Sequence, residues 1–139
     1  MMVRYGIKPQ QRDYDALLGK AMSGDLVFVV TPATATPAPT AAAWEQDISV
    51  ELQSAAGENH EWFNKTITTA IAASDASAAG TASMESTTLT FVNGRAAATL
   101  KGNAAAWLDT ETATATVAQQ TILGYTVAAK TCVLTFTAV

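Results

Sequence analysis

Asn93 and Gly94 limit what this chain can fold into more than any other pair of residues. They stand between two alternating runs in "STTLTFVNGRAAATL". Both central positions of a two-residue type I′ turn need positive φ, and Asn-Gly meets that need, so the stretch predicts a β-hairpin. Leu89, Phe91, Ala98 and Leu100 are its expected core positions.

The same period of two recurs on either side. In "DISVELQS", Ile48, Val50 and Leu52 share one face and Ser49, Glu51 and Gln53 the other, the pattern of a strand with one buried side. "AAGENH" supplies a turn. "WFNKTITTAIAA" reads as one further strand, with Phe63, Lys65, Ile67, Thr69 and Ile71 in alternation, ended by the Ser, Ala and Gly run over 74–80. "TATATVA", "ILGYTVAA" and "TCVLTFTA" give three more. Roughly seven short strands with turns every 8 to 12 residues predict a mainly β fold, an immunoglobulin-like β-sandwich over residues 44–139. A barrel or a jelly roll is the alternative.

With 139 residues, the chain has room for one ordinary domain and an appendage. Charged residues make up only 14%, and Thr, Ser, Asn and Gln supply the polarity, which reads as an extracellular surface or as part of an assembly. The net charge of −4 and the lack of a basic cluster argue against nucleic acid and anionic membrane as partners. The start, "MMVRYGIKPQQRDYD", has no apolar signal-peptide core, and no apolar run approaches the roughly 18 residues of a membrane span. An exported composition without an export signal is expected of a mature fragment, of a chain that uses another export route, or of one that leaves the cell inside a larger particle released by lysis, and the initial "MM" weighs against the first.

Two further regions precede the sandwich. Residues 1–30 carry Arg4, Lys8, Arg12 and Lys20, and "RDYDALLGKAM" places Tyr14, Leu17, Leu18 and Ala21 at helical spacing before the apolar "LVFVV". About thirty residues cannot bury a core of their own, so this piece is expected to fold against something else. Residues 31–43 hold Pro32, Pro37 and Pro39 among Thr and Ala. Such a tract reads as a semi-rigid spacer at about 3.1 Å per residue, or as a disordered connection; either separates its flanks.

The strand and turn "VELQSAAG", with Val50, Leu52, Ala56 and Gly57, and the hairpin "VNGRAAATL", with Val92, Asn93, Gly94, Ala96 and Leu100, resemble bacterial and phage immunoglobulin-like domains. Lys8, Tyr14, Ala16, Leu17, Asp25, Leu26, Phe28 and Val29 fit a pattern similar to the capsid-attaching start of phage head fibre and head decoration proteins. That resemblance implies a virion surface protein with an extended N-terminal capsid-anchoring arm, the major capsid protein as partner, and a homo-oligomer, a trimer in head fibres. The expected partner-binding residues are Arg4, Tyr5, Ile7, Lys8, Arg12, Tyr14, Leu17, Leu18, Leu26 and Phe28. A bacterial surface adhesin module with a host ligand and a phage tail accessory protein are the alternatives.

The residues with reactive chemistry are few. His60, in "GENHEWF", lacks the second histidine of a zinc helix and reads as an exposed turn residue. Asp109 and Glu111 resemble half a calcium site, but a solvated strand entrance explains them better. Cys132 is the only cysteine, which excludes an intrachain disulfide and predicts a half-buried strand thiol. No nucleophile triad and no phosphate loop appears, so no catalytic residue, metal or cofactor is expected. Trp44, Trp62 and Trp107 either plug the ends of the sandwich or mark a contact surface. The Thr-rich strands lack the aromatic platforms of a sugar site.

Overall fold

The computed structural model describes residues 26–139. Twelve strands run through them: β1 (Leu26–Thr31), β2 (Thr34–Ala35), β3 (Trp44–Ser54), β4 (Lys65–Ile67), β5 (Ile71–Ala76), β6 (Ala82–Met84), β7 (Leu89–Phe91), β8 (Arg95–Gly102), β9 (Thr112–Val117), β10 (Gln120–Ile122), β11 (Tyr125–Val127) and β12 (Lys130–Thr135). The strands form two four-stranded sheets, ordered β1-β3-β8-β6 and β2-β12-β9-β5, and two short pairs, β4-β7 and β10-β11. The fold is mainly β and compatible with a sandwich.

Alternation builds the core as expected. Ile48, Val50 and Leu52 of β3 and Leu89, Phe91 and Leu100 are buried; Ala98 is half-buried against them. They meet Ala113, Ala115 and Val117 of β9 and Cys132 and Leu134 of β12, which alternate with threonines and, in β12, with Val133. Asn93 (φ 52°) and Gly94 (φ 79°) form the expected tight turn, closed by reciprocal backbone bonds between Val92 and Arg95, but the flanking strands do not continue as a hairpin: beyond that single bridge β7 pairs with β4, and β8 with β3 and β6.

The N-terminal boundary differs from the expectation. "LVFVV" lies in β1, the edge strand of the first four-stranded sheet: β1 pairs antiparallel with β3 along its whole length, from Leu26 opposite Ser54 to Thr31 opposite Ser49. Leu26, Phe28 and Val30 point into the core and are 5%, 1% and 6% exposed. Burying three such side chains contributes about 1.5–3 kcal/mol each, and the partner is β3 of the same chain.

The Pro and Thr tract is also part of the domain rather than a free spacer. It carries the chain from one sheet to the other and back, because β1 lies in the first sheet, β2 in the second and β3 in the first again. Thr34 and Ala35 pair in parallel with Val133 and Leu134. The Ala33 carbonyl accepts from Val133 N–H (3.0 Å), that of Pro37 from Thr137 N–H (2.9 Å), and Thr40 exchanges two bonds with Trp107 (3.1 and 2.8 Å). Proline removes a donor and leaves its carbonyl, which suits a segment that mainly accepts at a sheet edge.

Two other strand assignments change. The run from Phe63 to Ile71 breaks into β4 and β5 at Thr69, which has φ 54°, and Thr87 O accepts from both Ala70 and Ile71 N–H (2.7 and 3.3 Å). "ILGYTVAA" is a hairpin, β10 to β11, turning at Leu123 (φ 54°) and Gly124 (φ 80°).

Candidate functional site

Two aromatic clusters lie toward opposite ends of the β-structure. At one end Trp107 is fully buried, stacked on Phe136 (centroids 5.2 Å, 26°), with Trp44 edge-on to both at 5.2 and 5.6 Å. The indoles lie directly over Gly80 and Gly102, where any Cβ would overlap the rings. Trp107 Nε1–H donates to Asn103 O (3.1 Å). At the other end Phe63 packs on Phe91 (4.9 Å) and Trp62 (5.7 Å), and Phe91 stacks on Phe28 (5.9 Å). All three tryptophans therefore serve as plugs, with Trp44 and Trp62 half-buried.

His60, Asp109 and Glu111 each form hydrogen bonds within the fold. His60 is only 2% exposed, contrary to the expected exposed turn residue, because Trp62 folds beside it and donates Nε1–H to His60 Nδ1 (3.0 Å). Asp109 and Glu111 lie outside the regular strand, ahead of β9, and point to different partners. Asp109 accepts from Ala138 N–H (2.8 Å). Glu111 accepts from Leu108 N–H (2.8 Å), Ala78 N–H (2.9 Å) and Ser77 Oγ–H (2.8 Å). These bonds, the Leu108 and Ala78 amides foremost, hold its carboxyl below the ordinary 4.5, with a small opposing effect from burial.

That carboxylate anchors the turn between β5 and β6. Ser77 Oγ also accepts from Gly80 N–H (2.8 Å), Asp75 from Ala82 N–H (2.9 Å) and Asn103 from Thr81 N–H (2.8 Å). The turn is thereby fixed across the Trp107 ring. Cys132 is fully buried, beyond the half-burial expected, and desolvation pushes its thiol up from 9.0. Among the described residues no group of three or more His, Cys, Asp or Glu is placed to hold a metal ion.

Of the residues expected to bind a partner, Arg4, Tyr5, Ile7, Lys8, Arg12, Tyr14, Leu17 and Leu18 lie outside the described residues, as does the expected helical stretch. Leu26 and Phe28 are core residues, so the anchoring assignment is corrected for these two: a side chain packed between sheets has no surface to offer. A groove of about 230 Å³ lies between β1 and β12, lined by Phe28, Val29, Val30 and Ala33 on one side and by Lys130 and Thr131 on the other, with Phe28 at its floor and only 1% exposed.

The outer faces of the two large sheets differ in kind. On the first, Arg95 pairs with Glu51 (3.4 Å) and Lys101 with Glu45 (3.7 Å), while Thr99 donates to Asp47 (3.3 Å). On the second, Thr116 stands opposite Thr131 and Ala72, Thr114 opposite Val133 and Ser74, and Thr112 opposite Thr135 and Ala76. Thr34 continues the middle row beside Val133. The "TATATV" alternation displayed half of this face; its neighbours follow only from the register. No family model, no curated protein and no solved structure matches the chain significantly.

Proposed function

We propose that the chain is a non-enzymatic structural protein of the phage particle surface, in which residues 1–25 attach to the major capsid protein and residues 26–139 form a displayed module. The observation that carries this reading is that β1 and the Pro and Thr tract complete the sandwich, leaving attachment to the segment before Leu26. Arg4, Tyr5, Ile7, Lys8, Arg12, Tyr14, Leu17 and Leu18 belong to that segment. It holds four cationic and three acidic residues, against four and nine in residues 26–139. A weakly basic segment before an acidic module favours a partner surface that carries acidic groups.

The strand order supports an immunoglobulin-like module. The order β1-β3-β8-β6 in one sheet and β12-β9-β5 in the other is similar to the four-and-three strand order of a constant-type domain, with β2 as a short addition beside β12. The module departs from antibody domains in having no inter-sheet disulfide, Cys132 being the sole cysteine. Leu26 lies near the Asn93–Gly94 tip, since Leu26 pairs with Ser54 and Glu51 with Arg95. Attachment through the preceding residues then directs the Trp44 and Trp107 end outward. The structural engagement of His60, Asp109 and Glu111 supports a display role over catalysis, and homo-oligomerisation on the particle belongs to the same reading.

The test is quantitative mass spectrometry of purified particles, followed by re-decoration of stripped particles with the full chain or with residues 26–139. The expected result is a copy number in proportion to the major capsid protein, and rebinding by the full chain only. Absence from particles, or equal rebinding by residues 26–139, contradicts the reading.

A further inference from the structure

We propose that the outer face of the β2-β12-β9-β5 sheet is a contact surface for a second copy of this chain. The inference rests on the contrast between the two outer faces and not on the virion reading. One face carries cross-strand ion pairs at Glu51–Arg95 and Glu45–Lys101. The other presents Thr112, Thr114 and Thr116 beside Thr135, Val133 and Thr131, in register and without a charge.

Three properties fit this face to a copy of itself. Residues 26–139 hold nine acidic and four cationic side chains, a formal −5, and this face carries none of that excess negative charge, so two copies meet through it without like-charge repulsion at the contact. A threonine hydroxyl both donates and accepts, so a two-fold arrangement satisfies itself without a differently built partner. The β-branched side chain is stiff at χ1, so little rotamer freedom is lost on contact. Two such faces pack as aligned sheets, about 10 Å apart and crossing at about 30°. The axis would pass near Thr114 and Val133, the middle row.

Size sets the strength. Four strands about 4.8 Å apart and some five residues of ~3.4 Å give roughly 300 Å² of flat face per copy. A stable interface uses about 800 Å² per partner, so the pair is transient and forms where copies are concentrated.

The experiment is disulfide cross-linking of the full chain carrying Thr114→Cys or Val133→Cys, with Thr99→Cys on the charged face as control. All three positions lie at the surface, and buried Cys132 does not compete. The expected result is cross-linking on the order of tenfold faster at 114 and 133 than at 99, because contact raises the local thiol concentration. Adding Thr114→Glu to the Val133→Cys chain should remove that advantage. Equal rates at all three positions, or an advantage that survives Thr114→Glu, would overturn the proposal. Having two cysteine positions keeps the test decisive if one variant folds poorly.

Discussion

The Phe28 ring stacks on that of Phe91, with centroids 5.9 Å apart and planes at 22°. This contact joins the first described strand to the strand before the Asn-Gly turn, 63 positions later in the chain. Phe28→Ala should therefore cost about 3–5 kcal/mol of folding stability, the range for deleting a buried ring. Val29→Thr, half-buried on the other side of the same strand, should stay within about 0.5 kcal/mol. Denaturant unfolding of the two variants measures the difference.

Trp107 and Gly80 give a second prediction. A methyl group at residue 80 would occupy the space of the indole ring, and the turn that carries Gly80 is tied down at Ser77, Asp75 and Asn103. Gly80→Ala should destabilise by about 1–3 kcal/mol, as overpacked cores do, and should alter the near-ultraviolet circular dichroism of the buried tryptophan. Serine at the exposed neighbour Ala79 should leave both unchanged.

Glu111 gives the fold an acid-side sensitivity. Its carboxyl is depressed in the folded state, so its contribution is fully present above the ordinary 4.5 and is lost as pH falls through the lower folded value. Glu111→Gln should lower Tm at neutral pH, and the gap to the unsubstituted protein should close as pH drops below 4.5. A gap that stayed constant to strongly acid pH would assign the effect to shape alone.

The Cys132 thiol is buried and raised, so thiol reagents should label it only through opening of the fold. Its labelling rate should rise with denaturant in step with global unfolding. Rapid labelling under native conditions would mean that β12 opens by itself.

How much of this was legible in the sequence follows from which interactions are local. Asn93–Gly94 and the alternation of β3, β8, β9 and β12 carry their own geometry, because turn torsions and strand period are set within a few residues. "LVFVV" shows that a strand is apolar without showing which sheet receives it. Its docking on β3 depends on a connection that composition describes as a spacer. The prolines suggested a segment without hydrogen bonds, yet the carbonyls of Ala33 and Pro37 accept from Val133 and Thr137, about a hundred residues away. His60 looked exposed because its burial comes from Trp62, and Leu123–Gly124 hid a turn inside an apolar run. The charge-free face needed the register of three strands before its rows could be seen.

The domain boundary at Leu26 is tested most directly by comparing the unfolding of two fragments, residues 26–139 and residues 44–139. The first is expected to unfold cooperatively with near-native stability. The second lacks β1, β2 and the bonds from Thr40 to Trp107, and is expected to be unfolded or to lose several kcal/mol. Equal stability of the two fragments would contradict the boundary and restore residues 26–30 to the anchoring segment and residues 31–43 to a spacer.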